Sequence, residues 1–352
     1  MQNESVLIAM SGGVDSSVAA LLIKQSGASC IGATMRLLDS LPLCGALSND
    51  DVSDARRVAE QLEIPFHAAE LSEPFRRCVV DYFVDTYLAG GTPNPCVECN
   101  RTVKFGAFLD VARSLGCDRL ATGHYAKIER DVNGRYLIKR AKDDSKDQTY
   151  VLWQLSQEQL ARTLLPLGDY TKDEIREIAT ANGFCNAHRK DSQDICFIPD
   201  GDYVGFIERY TQKSFPAGNF VDLDGNLLGQ HQGMLRYTVG QRKGLGIAFG
   251  KPTYVCAKDA STNTVTLGDN DALFRRDLTA HAVNLIAIER FDAPIRVQVK
   301  VRYAANPAWA TVEQTDADRI RLCFDEPQRA ICPGQSVVLY DGDILIGGGV
   351  ID

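Results

Sequence analysis

The chain contains no apolar run long enough to cross a bilayer. Its N-terminus also has no basic stretch followed by an apolar segment and a small-residue cleavage site. The expected compartment is therefore the cytoplasm, with no membrane partner and no secretory leader. Positive charge is also in short supply: 38 Lys and Arg stand against 46 Asp and Glu, a formal net charge of −8. That balance speaks against a nucleic-acid surface spread over the whole molecule. The sum conceals a local reversal. From Gly225 through Lys258 there is no acidic residue, while Arg236, Arg242, Lys243, Lys251 and Lys258 are all basic, the best footprint for a phosphate backbone in the sequence. Hydrophobic content of 45% and charged content of 24% are ordinary for a globular protein, and 352 residues suffice for two or three domains. Cysteine is plentiful, but eleven is an odd number, and in a chain of this length it argues against a disulfide scaffold. Cys30, Cys78, Cys117, Cys185, Cys256 and Cys323 sit mostly among apolar neighbours and read as small core residues. Cys96, Cys99 and Cys196 do not.

A further absence is informative. The apolar run Ser5–Met10 leads into Ser11-Gly-Gly-Val-Asp-Ser-Ser17, and Val18, Leu21 and Leu22 then begin an apolar helical face. The glycine turn has neither the lysine of a Walker A loop nor the spacing of a dinucleotide fingerprint. What remains is a strand ending in a turn that opens a helix, with free backbone N–H groups and a helix dipole aimed at one point. That geometry suits a phosphate or pyrophosphate. Gly12 and Gly13 let the backbone approach an anion, and Ser16 and Ser17 add hydroxyl donors.

Strand and helix then alternate. Cys30–Met35 reads as a strand, Leu37–Ser48 as a loop, Asp51–Leu62 as a helix, Ile64–Ala69 as a strand and Glu73–Leu88 as a helix. This is the pattern of a parallel sheet covered on both faces, with ligands beyond the carboxyl ends of its strands. Gly90-Gly-Thr-Pro-Asn-Pro-Cys-Val-Glu-Cys-Asn100 is expected to be a rigid loop carrying two thiols, followed by a helix over Thr102–Leu115. Leu120–Tyr125 is a strand end whose Gly123 can pass close to a nucleotide. A hairpin follows with its turn at Asn133-Gly134, and Thr171 with Glu174 forms a capping box ahead of the helix Lys172–Asn182. From about Phe215 short β-rich runs alternate with Gly, Asn and Asp turns, which suggests one or two small antiparallel barrels.

Thiolate is the reactive form of cysteine, so a working thiol needs exposure and something to lower its pKa. Cys99 precedes a helix whose N-terminal dipole can stabilise negative charge, and Cys196 follows Arg189 and Lys190 by a few residues.

Ser11–Ser17 resembles the pyrophosphate loop of the ATP pyrophosphatase superfamily, whose members adenylate a carbonyl oxygen. Further segments fall in order along the chain: Thr92-Pro-Asn-Pro, Cys99-Asn, Lys104-Phe105, Ala121-Thr-Gly-His-Tyr125, Lys146-Asp-Gln148, Asp191-Ser-Gln, Ile195-Cys-Phe197, Thr238–Gly246, Asp325–Ala330 and Pro333-Gly-Gln335. Together they resemble the tRNA-specific 2-thiouridylase family from end to end.

The resemblance implies an α/β fold. An adenine-nucleotide α-hydrolase-like parallel-sheet domain would span 1–212, a small central β-rich domain 213–272, and a C-terminal antiparallel β-barrel 273–352. It implies ATP with Mg²⁺ and 2-thiolation of the wobble uridine in tRNAs, the glutamate, lysine and glutamine acceptors in the family. A cysteine desulfurase or a sulfur-carrier protein would be the sulfur donor. Carried over by position, the nucleotide site is Ala9, Met10, Ser11, Gly12, Gly13, Val14, Asp15 and Ser16 with Met35 and Gly123, and Asp15 is the carboxylate expected to help hold magnesium. Cys99 would be the nucleophile and Cys196 the persulfide carrier. Asn94, Pro95 and Cys96 would meet the target base, and His124, Lys146, Asp147, Gln148, Arg302, Tyr303 and Gln335 would contact tRNA. Many relatives carry aspartate where this chain has Cys96, so Cys96, Cys99 and Cys196 together form a candidate ligand set for a [4Fe-4S] cluster. Two other readings stay open from the residues alone: a different adenylating reaction, such as an amide ligase or a thiamine-type sulfurtransferase, and a non-catalytic RNA-binding module.

Overall fold

The computed structural model describes residues 4–38, 49–189, 195–247 and 250–352. Most of the loop expected over Leu37–Ser48, together with Lys190 and the Asp191-Ser-Gln segment, lies outside the described residues. The fold divides into two compact units. The first comprises Met1–Val80, Cys96–Pro199 and Gly342–Ile346, and the second Asp81–Pro95, Asp200–Asp341 and Gly347–Asp352.

The first unit is built on β1 (Ser5–Ala9), β2 (Ser29–Arg36), β3 (Phe66–Glu70), β4 (Arg119–Ala121), the hairpin β5 (Lys127–Arg130) and β6 (Tyr136–Lys139), and β7 (Thr163–Leu164). Its main sheet has the order β3-β2-β1-β4-β7, with every pair parallel. Val6, Leu7 and Ile8 of the central strand are wholly buried, as a strand covered on both faces requires. Helices α1 (Val14–Gln25) and α2 (Asn49–Gln61) are the first two crossovers, and Val14, Val18 and Leu21 form the buried stripe of α1. Helix α3 (Lys172–Ala181) begins with the expected capping box: the Thr171 hydroxyl accepts from the Glu174 amide, and the Glu174 carboxylate from the Thr171 amide.

Two expectations are corrected here. Pro95–Glu98 is helical and runs into a wider π-helical stretch, Cys99–Ala107, so Cys96 and Cys99 sit on a helix and not in a loop. A proline at the first helical position surrenders an N–H that has no intrahelical partner there, so Pro95 opens this helix instead of forbidding it. Cys185 and Cys323 are exposed, not core. In its strand, Cys323 falls between buried Leu322 and Phe324, so strict alternation turns it outward.

The second unit contains β8 (Gly218–Val221), β9 (Leu227–His231), β10 (Tyr254–Asp259) and β11 (Thr264–Gly268), in the order β10-β11-β8-β9. Phe220, Tyr237, Val255, Val265 and Leu267 form its core. This sheet departs from the antiparallel expectation, because β11 pairs with β8 in parallel. The remaining strands are β12 (Phe274–Leu285), β13 (Ile295–Lys300), β14 (Ala308–Asp316), β15 (Arg319–Arg329), β16 (Ser336–Asp341) and β17 (Ile344–Ile351). They close an antiparallel barrel. Long β12 pairs with β15 along its first part and with β17 along its second, which seals the edge. Among the described residues no helix is long and apolar enough to cross a membrane.

Candidate active site at the glycine loop and the thiols

After β1, Met10 is buried, Ser11 is exposed and Gly12 takes φ +75, a left-handed conformation that glycine adopts without strain. Gly13 is the N-cap of α1, and no side chain caps that helix end. The serine hydroxyls are turned back into the loop: Ser16 Oγ and Ser17 Oγ donate to the Gly13 carbonyl at 2.9 and 3.1 Å, and Ser16 Oγ accepts from the Ser11 amide at 3.2 Å. From outside the loop, Asn186 Nδ2 donates to the Gly12 carbonyl (2.8 Å) and to Ser17 Oγ (2.9 Å). Gly123 follows β4, and a Cβ added there would lie 2.9 Å from the Ser16 amide nitrogen, so only glycine lets this turn come so near the start of α1. Ala9, Met35 and Gly123 all stand at the carboxyl edge of the parallel sheet, Met35 half-buried near the end of β2.

Asp15 is held from two sides. Its carboxylate accepts from Lys172 Nζ at 2.8 and 2.9 Å and from the Tyr125 hydroxyl at 2.7 Å. Lys172 and Tyr125 were not singled out from the sequence. Lys172 reads there as the first residue of an amphipathic helix, and no spacing rule announces a pair 157 positions apart.

Cys99 is buried. Burial pushes its pKa up to about 12; the Lys104 ammonium opposes this, while the neighbouring Cys196, Cys96 and Glu98 add to it. Cys99 is therefore within electrostatic reach of both other sulfurs in the first unit, and none of the three forms a disulfide. Cys196 is exposed because its neighbours are anchored: Phe197 is 2% exposed and meets the Phe75 ring edge-on at 5.6 Å. The expected dipole effect does not lower the Cys99 pKa, because the helix starts at Pro95 and Cys99 lies a turn inside it, out of water.

Residues 4–200, 204–269 and 275–351 match in turn the families described as tRNA methyl transferase HUP domain, tRNA methyl transferase PRC-barrel domain and aminomethyltransferase beta-barrel domain. The chain is 52% identical to the tRNA-specific 2-thiouridylase MnmA of Clostridioides difficile, over 99% of this chain and 98% of that protein. It is 48% identical to the protein of the same name from Acetivibrio thermocellus, over the full length of both. The chain belongs to the tRNA-specific 2-thiouridylase family.

The positions that the family resemblance gives to tRNA have definite places. His124 is buried against Phe105, its Nδ1 lies 2.6 Å from Thr122 Oγ1, and burial holds its pKa well below the usual imidazole value, with Lys104 adding to the effect. Gln148 Oε1 accepts from the Tyr125 amide, and the Asp147 carboxylate accepts from the Ala141 amide and the Thr149 hydroxyl; Lys146 beside them is half-buried. In the second unit, Arg302 donates to the Arg329 and Ala330 carbonyls at 2.9 and 2.7 Å, and Tyr303 is 45% exposed with Lys300 Nζ 5.7 Å from its ring. Gln335 donates to the carbonyls of Thr92 and Pro93, just ahead of Asn94 and Pro95. Of the basic island, Arg236, Arg242, Lys243 and Lys251 are exposed, whereas Lys258 turns inward: its Nζ lies 3.5 Å from the Gly91 carbonyl and 6.0 Å from the Tyr87 ring. Arg242 and Lys251 line a cleft of about 350 Å³ with Leu245, Ile247 and Pro252.

Proposed function

We propose that this chain is an ATP-dependent tRNA sulfurtransferase that converts the wobble uridine to 2-thiouridine, releasing AMP and pyrophosphate. The observation that supports the reading is that Cys99 lies within electrostatic reach of both Cys96 and Cys196, in the unit that also holds the glycine loop. The triphosphate chain of ATP rests on Gly12, Gly13 and the uncapped first turn of α1. Uridine O2 attacks the α-phosphorus, the bond to pyrophosphate breaks, and a poor leaving group becomes an adenylate. Cys196 carries a persulfide delivered by a cysteine desulfurase or a sulfur carrier, and its terminal sulfur bonds to C2. Cys99 then attacks Cys196 Sγ. The persulfide S–S bond breaks with its electron pair left on the transferred sulfur, a Cys99–Cys196 disulfide forms, and collapse to C2=S expels AMP. A thiol reductant reopens the disulfide. Burial keeps Cys99 protonated at rest, which protects the incoming persulfide from premature attack.

Magnesium, which the family implies, fits the Asp15 carboxylate by chemistry, though Lys172 and Tyr125 hold that carboxylate in this structure. It would supply charge neutralisation on the phosphates. A [4Fe-4S] cluster on Cys96, Cys99 and Cys196 does not fit the side chains as placed. Among the described residues no group of three or more His, Cys, Asp or Glu is arranged to hold a metal, and Cys99 is buried while the other two face solvent. No step runs through iron.

The test is mass spectrometry of the wobble uridine in tRNA incubated with the protein, ATP and a sulfide source. Thiolated uridine is expected with the native chain and is expected to vanish in Cys99→Ser and Cys196→Ser variants that still bind ATP. Full thiolation in both variants would overturn the two-thiol scheme. tRNA binding unchanged by Ser11→Ala and Asp15→Ala, with no thiolation even by the native chain, would favour a non-catalytic RNA-binding module.

A further inference from the structure

Lys172 is 4% exposed, and its ammonium is buried against the carboxylate of Asp15, in the first turn of α1 directly after the glycine loop. The two partners are unequal: the lysine side chain is 6% exposed and the aspartate 30%, so the carboxylate reaches water and the ammonium does not. Lys172 is also the first residue of α3, whose N-terminal amides are already engaged: the Asp143 carboxylate accepts from the Lys172 amide at 3.0 Å and the Glu174 carboxylate from the Thr171 amide at 2.6 Å. As a structural device this is a poor arrangement. Taking an ammonium out of water is costly and a partly wet carboxylate offsets it only in part, whereas an apolar side chain of the same length would fill the space without that penalty. The arrangement suits a multiply charged anion.

We propose that Lys172 is the phosphate-binding lysine of this loop. Asp15 holds its ammonium at the start of α1, and the triphosphate chain of a bound nucleotide takes it over. The glycine loop carries no lysine of its own, unlike a Walker A loop, and the missing cation comes from 157 residues downstream on another helix. Once transferred, the ammonium faces the oxygens on which negative charge gathers as pyrophosphate leaves, where a fixed cation in a dry site acts most strongly. This inference rests on the reading of the loop as an ATP site.

The experiment measures equilibrium binding of ATP and of adenosine in EDTA, without divalent cation, by calorimetry on the full-length chain. The proteins are the native chain, Lys172→Met, Lys172→Arg and Asp15→Asn, each checked for folding by circular dichroism. Lys172→Met is expected to weaken ATP binding about 10- to 100-fold, the range of a lost charge-assisted hydrogen bond, and to leave adenosine binding unchanged. Lys172→Arg is expected to recover most of the loss. Asp15→Asn is expected to bind metal-free ATP at least as tightly as the native chain, because it removes the competitor for the ammonium. ATP affinity unchanged in Lys172→Met would overturn the proposal and leave Lys172 as a mere counter-ion. Should Lys172→Met fail to fold, weaker metal-free binding in Asp15→Asn would overturn it equally. A native chain that binds no ATP at all would overturn the nucleotide-site reading as well.

Discussion

Among the described residues Lys172 and Lys258 are both drawn in from the surface, and they are treated in opposite ways. Lys172 meets a carboxylate at 2.8 Å and a phenol ring, inside the parallel-sheet unit. Lys258, in the β-rich unit, meets a backbone carbonyl at 3.5 Å and a phenol ring. Burial pushes Lys258 down to about 8, with only the neighbouring Cys332 acting against it. The difference lies in the partner: Lys172 has a carboxylate, whereas Lys258 has only a carbonyl and a ring and drifts toward neutrality as the pH approaches 8.

Cys99 extends the rule to acids and gives the largest expected effect. Buried without a dominant cation, it stays a thiol, whereas Cys96 and Cys196 are exposed. Alkylation by iodoacetamide at pH 8, followed by peptide mass spectrometry, should label Cys99 about 10³-fold more slowly than Cys96, since a thiol with a pKa near 12 is thiolate only rarely. Equal rates would break the comparison.

Removing the carboxylate partner of Lys172 should come next. Asp15→Asn strands a buried ammonium and should cost about 3 kcal/mol in urea unfolding of the nucleotide-free protein. A loss below about 0.5 kcal/mol would mean that the ammonium escapes to water and that the two lysines are alike after all.

Lys258→Met should do the reverse. The fall from the ordinary lysine value to about 8 corresponds to roughly 3 kcal/mol, and losing the Gly91 contact returns about 1, so a gain of about 2 kcal/mol is expected at pH 7. The sign follows from proton counting. Between pH 8 and the unfolded lysine value of about 10.5 the unfolded chain holds the extra proton, so native stability rises with pH there and the advantage of methionine fades. Thermal melts across that range would show it. The smallest effect belongs to Gln335→Ala. This variant removes a neutral donor from the Thr92 and Pro93 carbonyls and should cost about 1 kcal/mol with no pH dependence over the same range.

Contiguous features were legible in the sequence, and features built across the chain were not. The strand, glycine turn and helix of Ser5–Gln25, the capping box at Thr171 and the hairpin turn at Gly134 each depend on neighbours within a few positions, and the structure has all three. Pro95 misled because a proline that ends a loop and one that opens a helix look the same in sequence. The parallel pairing of β11 with β8 depends on strand order, which turn residues do not encode. Lys258 belongs to a basic stretch by composition, yet β10 turns it inward, and only the register decides that. The approach of Cys196 to Cys99 follows from no local pattern, and its expectation rested on the family resemblance.

The burial of Lys172 against Asp15 has one more consequence, concerning the order in which reactants arrive. A lone divalent ion approaching Asp15 would encounter a carboxylate already engaged by an ammonium and a phenol hydroxyl. A metal would therefore have little reason to settle ahead of a nucleotide, and would enter escorted by the triphosphate that chelates it.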